Sequence, residues 1–202
     1  MQNKDFSGIH IEGHIKIWDP SSKEIYINKR NAIHYENISV ALANSISNSG
    51  QGFIYEMAFG NGGTSVDPTG IITYLTPNST GINADLYNST YSKVVDDRSI
   101  TNTDPIRNYI ETRHVTGTNY TDVFVTCFLD YGEPSGQGAF DNTNDNESQF
   151  VFDELGLKSY SETNQSKLLT HVIFHPVQKS LNRLIQIDYT VRIQSLTGLM
   201  GT

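Results

Sequence analysis

His10, Glu12 and His14 alternate along one stretch of chain, so an extended backbone projects all three side chains from one face. Two imidazoles and a carboxylate are metal-ligand chemistry. The spacing, however, is not the helical His-Glu-x-x-His of zinc peptidases and no further protein ligand accompanies it, so we read a solvated strand face with no metal. His171 and His175 also share a strand face, but Pro176 follows at once and predicts an edge or a bulge. Residues 60–64, Gly-Asn-Gly-Gly-Thr, offer backbone amides of the kind that cradle phosphate. Without a Walker lysine or a following helical pattern, they predict a tight turn that needs positive φ. Asp141, Asn144, Asp145, Asn146 and Glu147 supply oxygens suited to calcium, but not the spacing or central glycine of an EF-hand loop. The adjacent carboxylates Asp96-Asp97 and Asp153-Glu154 fall on opposite faces of any regular strand, which argues against an acid/base couple. With no nucleophile elbow in the chain, these residues predict neither catalysis nor a cofactor.

The elements that must position these groups are bounded by composition. A chain of 202 residues and 22.6 kDa suits one β-rich structural domain spanning 1–202. Charged residues are only 18%, and the abundant Asn, Ser, Thr, Gly and Tyr favour strands, turns and polar interfaces over a helical bundle. A net charge of −8 disfavours direct binding to nucleic acid or to an anionic membrane. No stretch approaches the ~20 apolar residues of a membrane helix. Residues 1–6 are polar and do not resemble a signal peptide, which predicts a protein made and at first kept in a cytosol. Cys127 lies in the apolar run 123–129 and is expected to be a core thiol.

Ile9, Ile11, Ile15 and Ile17 share a face with Gly13, Asp19-Pro20-Ser21-Ser22 supplies a turn, and Ile25 and Ile27 resume the alternation: a hairpin. Over 31–48 the period changes, with Ile38, Ala41, Leu42 and Ile46 at helical spacing. That predicts one short amphipathic helix capped near Asn37 and stopped by Gly50, so residues 1–50 form a hairpin plus helix. Residues 53–59 read as a strand. Residues 77–104 read as a long loop holding at most one strand, and 106–115 with 121–129 as a hairpin around 116–119. Residues 132–148 read as a further loop, so 77–150 is the variable insertion region. Ile185, Ile187, Tyr189, Val191 and Ile193 form the cleanest alternation, predicting a central strand with a partner at 171–177. The fold class is mainly β: a β-sandwich with one short amphipathic helix and long loops.

Several segments together resemble a group of tailed-phage virion proteins. Residues 57–69, Met-Ala-Phe-Gly-Asn-Gly-Gly-Thr-Ser-Val-Asp-Pro-Thr, resemble a strand, glycine turn and Pro/Thr pattern found there. Residues 152–157, Phe-Asp-Glu-Leu-Gly-Leu, are similar to its Glu-Leu-Gly-Leu element, and 168–176 with 184–193 to its closing strands. Residues 13–20, 29–33 and the helix up to Ile46 are similar to its opening elements, whereas Gly70-Ile71-Ile72-Thr73 departs from the Asp-Thr pair frequent in that group. The resemblance implies a virion structural protein of tail, baseplate or neck, non-enzymatic and made in the host cytoplasm. Its implied partners are copies of itself and other virion proteins, and it implies no catalytic residue.

Two alternatives stand beside that reading: a capsid decoration protein, and a carbohydrate-binding host-recognition module. The second would use Trp18, Tyr87, Tyr91, Tyr131 or Tyr160 as stacking platforms for a glycan. For assembly contacts the sequence offers Leu196, Leu199 and Met200 in a C-terminal arm, 196–202, together with Tyr87, Tyr91 and Tyr131.

Overall fold

A computed structural model describes residues 7–134, 149–163 and 165–197. Asp141–Glu147 of the calcium-like loop, Leu199 and Met200 lie outside them. The chain forms β1 (Ser7–Trp18), β2 (Ile25–Arg30), β3 (Ala32–Ile33), α1 (Tyr35–Ile46), β4 (Ile54–Gly60), β5 (Thr64–Val66) and β6 (Ile72–Tyr74). It continues through β7 (Ser89–Val94), β8 (Tyr109–His114), β9 (Tyr120–Leu129), β10 (Gln149–Ser159), β11 (Thr170–Ser180) and β12 (Ile185–Thr197). One antiparallel sheet runs β2-β1-β12-β9-β8 and a second runs β3-β11-β10-β4-β7, while β5 and β6 pair only with each other. Side chains from both large sheets meet in one apolar core, with Ile15, Ile17, Ile187 and Tyr189 facing Phe59, Phe152, Leu155 and Phe174. This is the β-sandwich that the alternating patterns predict.

β1 turns Ile11, Ile15 and Ile17 inward as its period requires, although Ile9 at its start is exposed. Gly13 falls on the same inward face for a steric reason. A Cβ there would meet Asn31 Oδ1 at 1.9 Å, so the bare backbone is what lets the Asn31 amide cross β1 and donate to the buried Tyr189 hydroxyl. The turn after β1 is held by Asp19, whose Oδ1 accepts from the Ser21 amide at 2.7 Å.

Three sequence expectations need correction. The cap of α1 is His34, not a residue near Asn37: its Nδ1 accepts from the Asn37 amide at 3.2 Å and its Nε2 donates to the Gly81 carbonyl at 3.0 Å. Asn37 is instead buried in the first turn and donates to the Leu168 carbonyl, and Ile46, expected in the apolar stripe, lies in solvent. The left-handed residue that follows the helix is Asn48, two positions before Gly50. Finally, β12 is central as expected, but its partners are β1 and β9; β11 belongs to the other sheet. Two strands close in sequence and both apolar suggest a hairpin, yet in a sandwich the connection can equally cross from one sheet to the other.

Candidate functional site

β10 and β11 each change which face they bury partway along. Phe152 and Leu155 both enter the main core, as do Phe174 and Val177, although residues three apart on a regular strand face opposite ways. The register between the strands slips where this happens, with Phe152 opposite Val177 but Glu154 opposite Ile173. This is the bulge that Pro176 signals. Its consequence for chemistry is that Asp153 and Glu154 do not diverge: both carboxylates reach the 60–64 loop, contrary to the expectation for neighbours on a strand.

There they accept from the three successive amides of Gly62, Gly63 and Thr64. Glu154 accepts from the amides of Gly62, Tyr87 and Asn88 at 3.1, 2.9 and 2.8 Å, and its Oε2 lies 3.0 Å from His171 Nε2. The Asn78 amide can only donate, and it approaches His171 Nδ1 at 2.8 Å, so the ring accepts there and carries its proton on Nε2, toward Glu154. Asp153 accepts from the amides of Gly63 and Thr64, both at 2.9 Å, and from the Thr64 hydroxyl. The loop's capacity to bind an anion is real, and the anions are the protein's own side chains. Its glycines serve close approach, not positive φ as the sequence suggests. A Cβ on Gly60 would meet the Asn88 carbonyl oxygen at 2.4 Å, and one on Gly62 the Asn88 nitrogen at 2.7 Å.

The two carboxylates are driven apart in acidity. Burial raises both, but at Glu154 the His171 ring and the three amides outweigh it and hold the group below the ordinary glutamate value. At Asp153 burial prevails over the bonds from Gly63 and Thr64, helped by the neighbouring Glu154 charge, and the group sits above the usual aspartate value. Separated acidities beside a histidine suggest acid/base chemistry. Access argues otherwise: Glu154 and His171 are 0% exposed and Asp153 3%, and their bonding capacity is spent on backbone. The arrangement works as an anchor.

What it anchors is the β5–β6 hairpin. Thr64, its first residue, pairs with Tyr74, and the tip is closed by Asp67, whose Oδ1 accepts from the amides of Thr69 and Ile71 at 2.8 and 3.0 Å. Val66 is 62% and Ile71 63% exposed, and Tyr74, at the end of β6, and Leu75 just after it are exposed as well. The loop that follows returns across the outer face of the second sheet, where Leu86 packs with Ala58 and Leu168 in a small separate core. The hairpin was missed from sequence because its strands, Thr64–Val66 and Ile72–Tyr74, are too short for an alternating period to register.

The residues singled out beforehand are scattered. Tyr87 donates its hydroxyl to the Thr76 carbonyl at 2.7 Å beside the anchor, and Tyr131 is exposed after β9. Tyr91 packs its ring against Phe59, and burial pushes its hydroxyl well above the usual tyrosine range. Trp18 lies under Lys16 and Lys23 and donates to Asp188, while Tyr160 stacks on Phe53 at 5.0 Å. These aromatics form no common platform. Leu196 is exposed but belongs to β12, opposite Gly8 of β1, so the strand reaches into the segment expected to be a free arm. Among the described residues no three His, Cys, Asp or Glu side chains converge as metal ligands, His10, Glu12 and His14 included. Cys127 is buried in the core, and burial pushes its thiol up to about 12.

A second buried charge allows a clean test. Lys179 is 1% exposed, and burial pushes its ammonium down to about 8, against the opposing pull of Glu133 and Asp130. Between about 8 and the ordinary 10.5 the unfolded chain binds more protons than the folded one, so this residue's contribution to stability improves as pH rises through that window. Lys179→Met should therefore be more stable than the parent by up to about 3 kcal/mol below pH 8. Urea titrations at successive pH values should show the gap closing by about pH 10.5. A gap that does not change with pH would assign the cost to packing.

Comparison of the chain with protein-family models, with curated proteins and with solved structures finds no match.

Proposed function

We propose that this protein is a non-enzymatic structural subunit of a tailed-phage particle, a component of tail, baseplate or neck. It joins copies of itself and neighbouring virion proteins through the β5–β6 hairpin and the loop that follows. The observation that carries this reading is the set of exposed apolar residues, Val66, Ile71, Tyr74 and Leu75, on a hairpin paired with neither large sheet. A two-stranded hairpin is marginal by itself, and apolar side chains gathered in water invite cover by another molecule. Rooting it in buried carboxylates holds it ready, which lowers the ordering cost of association. The segments that resemble virion proteins, 57–69 and 152–157, are the ones that meet in this anchor.

The double variant Val66→Asp/Ile71→Asp tests the proposal. Both side chains are already in solvent, so the melting temperature should stay within about 2 °C of the parent. Self-association by light scattering and sedimentation should weaken at least about ten-fold, because each new carboxylate would be buried unpaired in the interface. Incorporation into particles should fall in parallel. A parent chain that is monomeric at every concentration and absent from particles would overturn the proposal, as would a variant that assembles like the parent.

A further inference from the structure

α1 turns Asn37, Val40, Ala41 and Asn44 toward the β10–β11 connection, one stripe at i, i+3, i+4 and i+7. Between this stripe and that connection lies a recess of about 180 Å³ whose far wall carries Gln51, Ser159, Thr163 and Gln165. Gly52 closes one side with φ +86, where a Cβ would meet the Ala41 carbonyl oxygen at 2.7 Å, so only glycine keeps helix and wall at this separation. A second recess of about 280 Å³, bordered by Asn83 and Asp85, meets the first at Gln165 and Lys167.

We propose that these joined recesses bind a neutral, multiply hydroxylated ligand, a sugar unit or short glycan. The proposal stands apart from the assembly reading. Asn37 borders the first recess, is 1% exposed and has an Oδ1 without a hydrogen-bond partner, an acceptor that a ligand hydroxyl reaches once the recess adjusts around it. The surrounding amides and hydroxyls each donate and accept, as sugar hydroxyls do. The charged groups are already engaged: Lys167 Nζ donates to Asn83 Oδ1 at 3.0 Å, and Asp85 pairs with Lys158 at 2.7 Å. Lys167, the cation that lines both recesses, is held by a neutral amide, which makes an anionic sugar the necessary control. Tyr160, backed by Phe53 with the rings 9° from parallel, gives the wall a rigid aromatic member of the kind sugars pack against.

The test is titration of the full chain with glucose, galactose, N-acetylglucosamine and their disaccharides, followed by amide NMR. Glucose 6-phosphate serves as the anionic control. At least one neutral sugar should give saturable shifts in the 37–52 and 159–167 segments with a dissociation constant of roughly millimolar order. Asn44→Ala and Gln165→Ala should each weaken it about ten-fold, one hydrogen bond's worth, at unchanged melting temperature. Asn37 is not the variant of choice, since its Nδ2 also holds the Leu168 carbonyl. No saturable shift up to roughly 50 mM of any sugar would overturn the proposal by leaving the recess to solvent. So would tighter binding of the sugar phosphate than of the sugar, or equal binding by both variants and the parent.

Discussion

Glu154→Gln should cost roughly 3–5 kcal/mol of stability, because a carboxylate that accepts four hydrogen bonds in a buried site gives way to an amide that cannot accept them all. For a chain of this size that is a fall in melting temperature on the order of 10 °C. The substitution preserves shape but places an NH2 group where the carboxylate now accepts from Gly62, Tyr87, Asn88 and His171. At least one of those donors then faces another donor in a site with no water to replace the bond. Hydrogen exchange should accelerate together at the Gly62, Tyr87 and Asn88 amides, which come from two separate segments and share only this carboxylate. Asp153→Asn should cost less, because burial already works against the charge at that position.

The pH dependence follows with its sign. Glu154 is held below the glutamate value of 4.5, so its contribution is complete above that pH and is lost as pH falls through the lower folded value. The parent's advantage over Glu154→Gln should therefore shrink in acid. Asp153, shifted upward, acts in the opposite sense, which limits the acid sensitivity of the anchor as a whole. If Asp153→Asn proved the more damaging variant, or Glu154→Gln melted with the parent, the anchor would have been assigned to the wrong carboxylate.

Ile187→Asp should abolish folding. Ile187 is 0% exposed on the central strand of its sheet, between Ile17 on β1 and Cys127 on β9, and an aspartate there would bring an unpaired charge into the sandwich core. Thr190→Asp, on the other face of the same strand, should cost no more than about 1 kcal/mol. Circular dichroism and thermal melts of the two variants check the contrast. Similar losses from both would mean that the outer face of this sheet is also buried.

The β12 contrast was legible in sequence because a sheet buried on one side imposes a period of two, and Ile185 to Ile193 keep that period without a break. β1, β2 and the β8–β9 hairpin were legible for the same reason, together with their turn residues, and β4 also read as a strand, whereas β7 lies in a segment that read as a long loop holding at most one strand. β10 carried no such signal. Both of its faces are covered, one by the sandwich core and the other by Leu86, Leu168 and the 60–64 loop, so its buried positions run consecutively from Phe152 to Ser159. The anchor stayed hidden for a related reason. Asp153 and Glu154 look divergent until the slip opposite Pro176 turns both one way, and the amides they satisfy lie 66 to 92 residues earlier in the chain. His34 was invisible as a cap because a histidine in that place is chosen by its second bond, to Gly81, which only tertiary structure supplies.

The pairing of β1 with β12, Ser7 opposite Thr197 through Trp18 opposite Gln186, has a consequence for how the protein is made. β1 leaves the ribosome before every other described strand and must wait for the last of them before its long edge is matched. Until then β2 is its only strand neighbour, and β2 reaches no further toward the start of β1 than His14. The sheet therefore cannot close before β12 has been made, and its completion is a late, long-range event of the kind that makes β-rich folding slow. A nascent chain paused before residue 185 presents an unpaired, isoleucine-rich strand to its surroundings. That interval is when chaperones, or contacts between chains on neighbouring ribosomes, have most to act upon.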